Sequence, residues 1–135
     1  MRSGAAPSVE VLITTCNRWH HLEKTLCGLR EQKRIDLNVA VRDDGSSDGT
    51  PDRVRSRFPE VRLLGGPHLG LIGSRSVLMR TSVSDYLLHL DDDGYLMQPD
   101  AIAGCVGKME ANPFWGCVTI RVMRPDGSDE YNDEV

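Results

Sequence analysis

The stretch Asp85-Tyr86-Leu87-Leu88-His89-Leu90-Asp91-Asp92-Asp93-Gly94 decides how this chain is read. Tyr86 to Leu90 is mostly apolar and short, which predicts a strand covered on both faces. It stops abruptly at three carboxylates and a glycine. Adjacent carboxylates repel one another, so water or a cation has to screen them. An open α/β sheet places its ligand at the carboxyl ends of its strands, and this charge sits at such an end. Oxygen donors of this kind suit Mg²⁺ or Mn²⁺, which usually arrive with a phosphate. The plain alternative is a solvated acidic turn, and the flanking sequence decides between the two.

Upstream, Val9 to Ile13 is a β-rich run that predicts the first strand. The polar loop Thr14-Thr15-Cys16-Asn17-Arg18 follows it. Trp19, Leu22, Leu26 and Leu29 then recur at helical spacing, with Asn17 placed to cap their helix and His20 and His21 on its wet side. Leu37 to Val41 predicts a second strand, which ends in Arg42-Asp43-Asp44-Gly45-Ser46-Ser47-Asp48-Gly49-Thr50-Pro51. There Thr50 is placed to cap a helix and Pro51 to occupy its first position. Val54 and Phe58 give that helix an apolar side, and Pro59 ends it. Val61 to Leu64 predicts a third strand. A glycine-rich loop leads from it to a helix over Leu71 to Arg80, with Ile72, Val77 and Leu78 or Met79 facing the core. Downstream of the acidic triplet, Pro99 to Glu110 predicts a helix that stops at Asn112-Pro113. Gly116 to Met123 predicts a fifth strand, and Pro125-Asp126-Gly127 a turn.

Strands and helices thus alternate, which argues for an α/β domain with a mostly parallel sheet and helices on both faces. Polar loops follow the first, second and fourth strands, so all three converge at one edge of the sheet. In that crevice Asp44 can accept a hydrogen bond from the N–H edge of a base, beside Gly45, which lets a ligand approach the backbone. Thr14, Cys16 and Asn17 can line the other side of the base. Asp91 and Asp93 are placed for a ribose hydroxyl and a divalent cation that bridges two phosphates. Arg75 is a second cation for the same site.

With 135 residues the chain makes one domain: a leader over 1–8, the α/β body over 9–127 and a frayed tail over 128–135. Its net charge of −4 offers no basic footprint for nucleic acid or an anionic membrane. There is no apolar run of transmembrane length and no signal-peptide core, which predicts a cytoplasmic protein. Cys16, Cys27, Cys105 and Cys117 lack Cys-x-x-Cys spacing, so reduced thiols are expected. A P-loop NTPase is disfavoured because no Gly-x-x-x-x-Gly-Lys-Ser/Thr occurs. A nucleotidyltransferase is disfavoured because no glycine-rich, arginine-containing loop follows the first strand. A non-catalytic binding or interaction domain is the other class that fits.

Val41 to Thr50 resembles the Asp-Asp-Gly-Ser-x-Asp-Gly-Thr signature of family 2 glycosyltransferases, the inverting group with the Rossmann-like GT-A fold. Ile13 to Arg18 is similar to that family's first nucleotide loop. His68 to Ser76 resembles its Asn-x-Gly-x-x-x-Ala-Arg-Asn segment, and Leu90 to Asp93 its Asp-x-Asp motif. Order and spacing agree for all four. The resemblance implies a nucleotide-diphospho-sugar donor, UDP by default, bound with Mn²⁺ or Mg²⁺. It implies hexosyl transfer with inversion to an acceptor. It also implies that Asp44 and Thr14 read the base, that Asp91 holds the ribose and that Asp93 binds the metal. Cys16 stands where many relatives carry an aromatic residue, and His68 and Ser76 replace asparagines. The family's general base lies in an acidic motif well beyond the Asp-x-Asp, within an acceptor-binding part that this chain is expected to lack. None of Asp126, Asp129, Glu130, Asp133 and Glu134 is marked as that base, so no catalytic residue is assigned. A bare apolar face and self-association through it are expected where the acceptor part would pack.

Overall fold

The computed structural model describes residues 6–128. The elements in chain order are β1 (Val9–Thr15), α1 (Trp19–Arg30), β2 (Leu37–Asp43), α2 (Thr50–Arg57), β3 (Arg62–Leu64), α3 (Gly70–Thr81), β4 (Tyr86–His89) and α4 (Ala101–Ala111). The strands form one parallel sheet in the order β3-β2-β1-β4. Each parallel connection needs a crossover, and the helices supply it. β1 lies in the middle, which explains why Val9, Val11, Leu12 and Ile13 are all buried.

Side-chain alternation along the strands divides the core in two. Val9, Val11 and Ile13 of β1 and Val41 of β2 share one face with Trp19, Leu22, Leu26 and Leu29 of α1. Val54 and Phe58 at α2 and Ile102 and Val106 of α4 complete that layer. Trp19 and Phe58 meet at 6.3 Å between ring centroids, and the Arg30 guanidinium covers Phe58 at 4.3 Å. On the opposite face Leu12 and Ala40 meet Leu78 of α3, with Leu64 against them. Both faces therefore carry helices, but three cover one and a single helix covers the other.

That imbalance corrects several sequence expectations. β4 is an edge strand among the described residues, not a strand covered on both faces. Tyr86, Leu88 and Leu90 pack against the core, while Leu87 is exposed on the thinly covered side. Ile72 of α3 is 77% exposed, because Ser74 and Leu78 are the residues that this helix turns inward. The fifth strand is not formed over 117–122, where Cys117 and Val122 are exposed. Of the run 116–123, Met123 alone is in a bridge, so a β-rich composition does not by itself make a strand here. The turn at Pro125 and Asp126 is formed and closed by Gly127 N–H on the Arg124 carbonyl at 2.8 Å.

The caps differ from expectation as well. Asn17 does not cap α1. Thr50 lies inside α2, and the Asp48 carboxylate accepts from its amide at 3.0 Å and its hydroxyl at 2.6 Å. Ser8, assigned to the leader, is tied to Asp85 through its amide and its hydroxyl, both at 2.9 Å. Residues 1–5 of the leader and 129–135 of the tail lie outside the described residues.

This packing yields a quantitative contrast. Leu22→Ala is expected to cost about 2–5 kcal/mol in urea denaturation, as a fully buried leucine does. Ile72→Ala is expected to change stability by less than about 0.5 kcal/mol. A large cost at Ile72 contradicts the placement of α3.

Candidate functional site

The carboxyl ends of β1, β2 and β4 lie side by side, because β1 pairs in parallel with both of the others. Thr15, at the tip of β1, links them. Its carbonyl accepts the Asp44 amide at 2.9 Å, and its hydroxyl donates to Asp92 at 2.8 Å. Leu12 pairs with His89, so Thr15 and Asp92 each lie three residues further along their chains. The expected convergence of polar loops is therefore present, and Asp44 and the acidic triplet share one end of the sheet.

The three carboxylates of the triplet have different surroundings. Asp92 is turned inward and is 7% exposed. Arg18 Nε donates to its two oxygens at 2.9 and 3.1 Å, and the Thr25 hydroxyl donates to its backbone carbonyl at 2.7 Å. A carboxylate out of water needs such donors to stay charged. Asp91 and Asp93 face outward. Arg75 Nη2 meets Asp91 at 2.6 Å, and Arg18 Nη2 meets Asp93 at 2.5 Å. Asp92 above all, with Asp93 beside it, holds the Arg18 guanidinium above the ordinary arginine range. At the end of β4, burial and the neighbouring Arg75 push His89 below the usual imidazole value, against the pull of Asp91.

Asp44 is buried at the tip of β2. Its Oδ1 accepts from Leu69 N at 2.7 Å and Ser74 Oγ at 2.9 Å; its Oδ2 accepts from Gly70 N at 3.0 Å and faces His68 Nδ1 at 2.8 Å. Burial alone raises its pKa, but these donors outweigh burial and hold it below the usual carboxylate value. Asp44 thus fastens the start of α3 to β2, a role absent from the sequence reading. Gly45 adopts φ +93°, which glycine alone takes readily. A Cβ there would meet His68 at an ordinary 3.9 Å, so the backbone angle and not crowding calls for glycine.

The other expected residues are close by. Cys16 lies among the carboxylates. Burial, then Asp43, Asp44 and Asp48, raise the pKa of its thiol, so the proton stays on at neutral pH. The Thr14 hydroxyl oxygen is enclosed without a hydrogen-bond partner among the described residues, as is one oxygen of Asp43. Asn17 is diverted from the crevice: its amide donates to Ser46 Oγ and its side-chain oxygen accepts from Ser47 N, both at 2.7 Å. Its φ of 53° is one that asparagine tolerates. A hollow of about 460 Å³ opens at the start of α1, lined by Arg18, Trp19, His20, His21, Asp48 and Arg53 among others.

Arg18 and Arg42 are the residues that sequence reasoning missed. Arg42 is buried; its Nη2 donates to the Pro67 carbonyl at 2.9 Å and its Nη1 to the Asp43 carbonyl. It holds the loop before α3 from beneath. The only sequence signal for either is a lone arginine in or next to a functional loop.

This fold is that of the GT-A glycosyltransferases. A mannosyltransferase of Pyrobaculum calidifontis, solved with GDP-Man and Mn²⁺, superposes with a TM-score of 0.76. It is 27% identical, and the match covers 91% of this chain and 37% of that one. Staphylococcus aureus TarS, solved with UDP-GlcNAc, shares the fold with a TM-score of 0.68 at 20% identity, over 78% of this chain and 32% of that one. The chain belongs to Glycosyl transferase family 2, whose profile matches residues 10–134. It is also 28% identical over 127 residues to a chondroitin synthase of Pasteurella multocida, covering 90% of this chain but only 13% of the synthase. Among the described residues no helix is long and apolar enough to cross a membrane.

Asp44 and Asp48 carry a pH dependence. Both are held below the usual carboxylate pKa, so the stability they lend is present above their unfolded value of about 3.9 and is lost as pH falls through their folded values. Asp44→Asn is expected to cost about 1.5–3 kcal/mol at pH 7 and to flatten the acid decline seen by urea denaturation below about pH 5. An unchanged acid decline contradicts the assigned role of Asp44.

Proposed function

We propose that this chain binds a nucleotide-diphospho-sugar with Mn²⁺ or Mg²⁺ at the strand tips, as the donor-binding part of an inverting glycosyltransferase. The observation that carries this reading is the meeting of the Asp44 loop and the Asp91–Asp93 loop around Thr15. The mannosyltransferase with the same fold holds GDP-Man and Mn²⁺, which supports it.

The residues present fit such a cation. Mg²⁺ and Mn²⁺ take one or two carboxylates and complete their shell with water and phosphate oxygens. Asp91 and Asp93 are two such carboxylates, 66% and 50% exposed at their side chains. Among the described residues no group of three or more His, Cys, Asp or Glu side chains forms a metal cage. Bound there, the cation supplies charge stabilisation for the departing diphosphate.

The chain's own residues divide the rest of the work. Asp93 is the principal ligand, with Asp91 beside it. Asp91 also accepts the ribose hydroxyl when Arg75 releases it, and Arg75 then lies next to the phosphates. Asp44 reads the base in place of His68, the one of its four donors on a largely exposed side chain. Thr14 turns its unpartnered hydroxyl to the base and Cys16 flanks it, while Asn17 ties the Cys16 loop to Ser46 and Ser47. UDP is the nucleotide that the sequence resemblance implies, and GDP the one in the mannosyltransferase.

No general base is assigned. Asp126 is engaged with Ser128 N at 2.9 Å and Oγ at 2.6 Å, and the later carboxylates lie outside the described residues. The second reading is a domain that binds the donor without transferring it. The exposed side chains of Leu71, Ile72, Met79 and Phe114 are the apolar surface available for the expected self-association.

Calorimetry with UDP-sugars and GDP-sugars, with and without Mn²⁺, tests the proposal. Binding is expected to require metal and to weaken at least about tenfold in Asp93→Ala. Metal-dependent binding that survives Asp93→Ala unchanged overturns the assignment.

A further inference from the structure

Arg18 is more than a structural partner of Asp92. Its Nε holds the buried Asp92 while its Nη2 reaches the outward-facing Asp93. The two bonds differ in character. Asp92 is enclosed and shared with the Thr15 hydroxyl, so the guanidinium is anchored on that side. Asp93 is half exposed, and its bond to Nη2 can break without opening the core. On the other side of the triplet Arg75 meets Asp91 at 2.6 Å. Each of the two proposed metal ligands is therefore already paired with a guanidinium.

We propose that Arg18 is a built-in counter-ion that competes with the divalent cation for Asp93, and so makes cation binding depend on the nucleotide. The inference rests on the donor reading above. With no nucleotide present, a cation has to displace Nη2 from Asp93 and gains only water in return. With a diphosphate present, phosphate oxygens complete its shell. The displaced Nη2 then stays beside the phosphates, because Nε keeps its hold on Asp92. An arginine edge so placed is a good phosphate donor. The Arg18 side chain is 43% exposed, which leaves room for that small movement.

Mn²⁺ titration followed by electron paramagnetic resonance, with and without UDP and GDP, tests this. The proteins are wild type, Arg18→Gln, Arg18→Lys and Asp93→Ala. Without nucleotide, Arg18→Gln is expected to bind Mn²⁺ about two- to fivefold more tightly than wild type, the range that an exposed ion pair spans. With nucleotide it gains less or loses, so the nucleotide's enhancement of Mn²⁺ affinity shrinks. Arg18→Lys keeps the charge and stays close to wild type without nucleotide. Losing Arg18 can also unsettle Asp92, so Asp92→Asn is compared with the double variant Arg18→Gln/Asp92→Asn, which has no buried charge left unpaired. Equal or weaker Mn²⁺ binding in both Arg18→Gln backgrounds overturns the role of Arg18. If wild type binds Mn²⁺ and nucleotide and Asp93→Ala does not, the donor reading survives that result. If no variant binds Mn²⁺ with either nucleotide, both inferences fall together.

Discussion

The interaction on which the rest depends is the burial of Asp92. A carboxylate is taken out of water at the end of β4 and hydrogen-bonded there by the Thr15 hydroxyl and the Arg18 guanidinium. Its own carbonyl is held by Thr25 in α1. These bonds fasten the acidic loop to β1 and to the start of the first helix. With the middle carboxylate spent on structure, Asp91 and Asp93 are left facing solvent. Charge repulsion within the triplet is relieved inside the fold, and only two of its members are available to a ligand. A structural aspartate between two functional ones is how three like charges coexist in sequence.

Asp44 repeats this logic on the other side of β1. It too is buried, and its four donors outweigh the burial that would neutralise it. It sets where α3 begins and hence where Arg75 stands. The two loops are joined by one residue, Thr15, through its carbonyl on one side and its hydroxyl on the other. The candidate site is therefore shaped by charged groups that are unexposed, and it is presented by charged groups that are exposed. Backbone geometry assists through Gly45 and Asn17, both at positive φ, which turn the loops toward each other.

Much of this was legible in the sequence, for identifiable reasons. The alternation of β-rich runs with a helical leucine pattern places the strands and helices, and turn residues mark the strand tips that carry polar groups. Those signals are local, and local signals survive folding. What failed depended on neighbours. The run at 116–123 has strand composition, yet Met123 alone of its residues is in a bridge. Tyr86 to Leu90 reads as doubly covered because its residues are apolar, yet coverage depends on how many helices cross each face. Ile72 turns outward and Ser74 inward because the first turn of the helix is anchored to Asp44. Within Asp91-Asp92-Asp93 the residues are chemically identical, so nothing local distinguishes the buried one. Arg18 and Arg42 act across long sequence separations, where composition and spacing carry no signal.

The central claim is that the Asp44 loop and the Asp91–Asp93 loop form two walls of one donor crevice around a cation. Paramagnetic broadening of backbone amide resonances by Mn²⁺ in the presence of saturating UDP tests it most directly, since the effect falls steeply with distance from the ion. The account predicts that amides of residues 14–18, 44–47 and 91–94 broaden together, while those of Leu29 and Glu60 do not. Broadening confined to 91–94, with the Asp44 loop untouched, would contradict it.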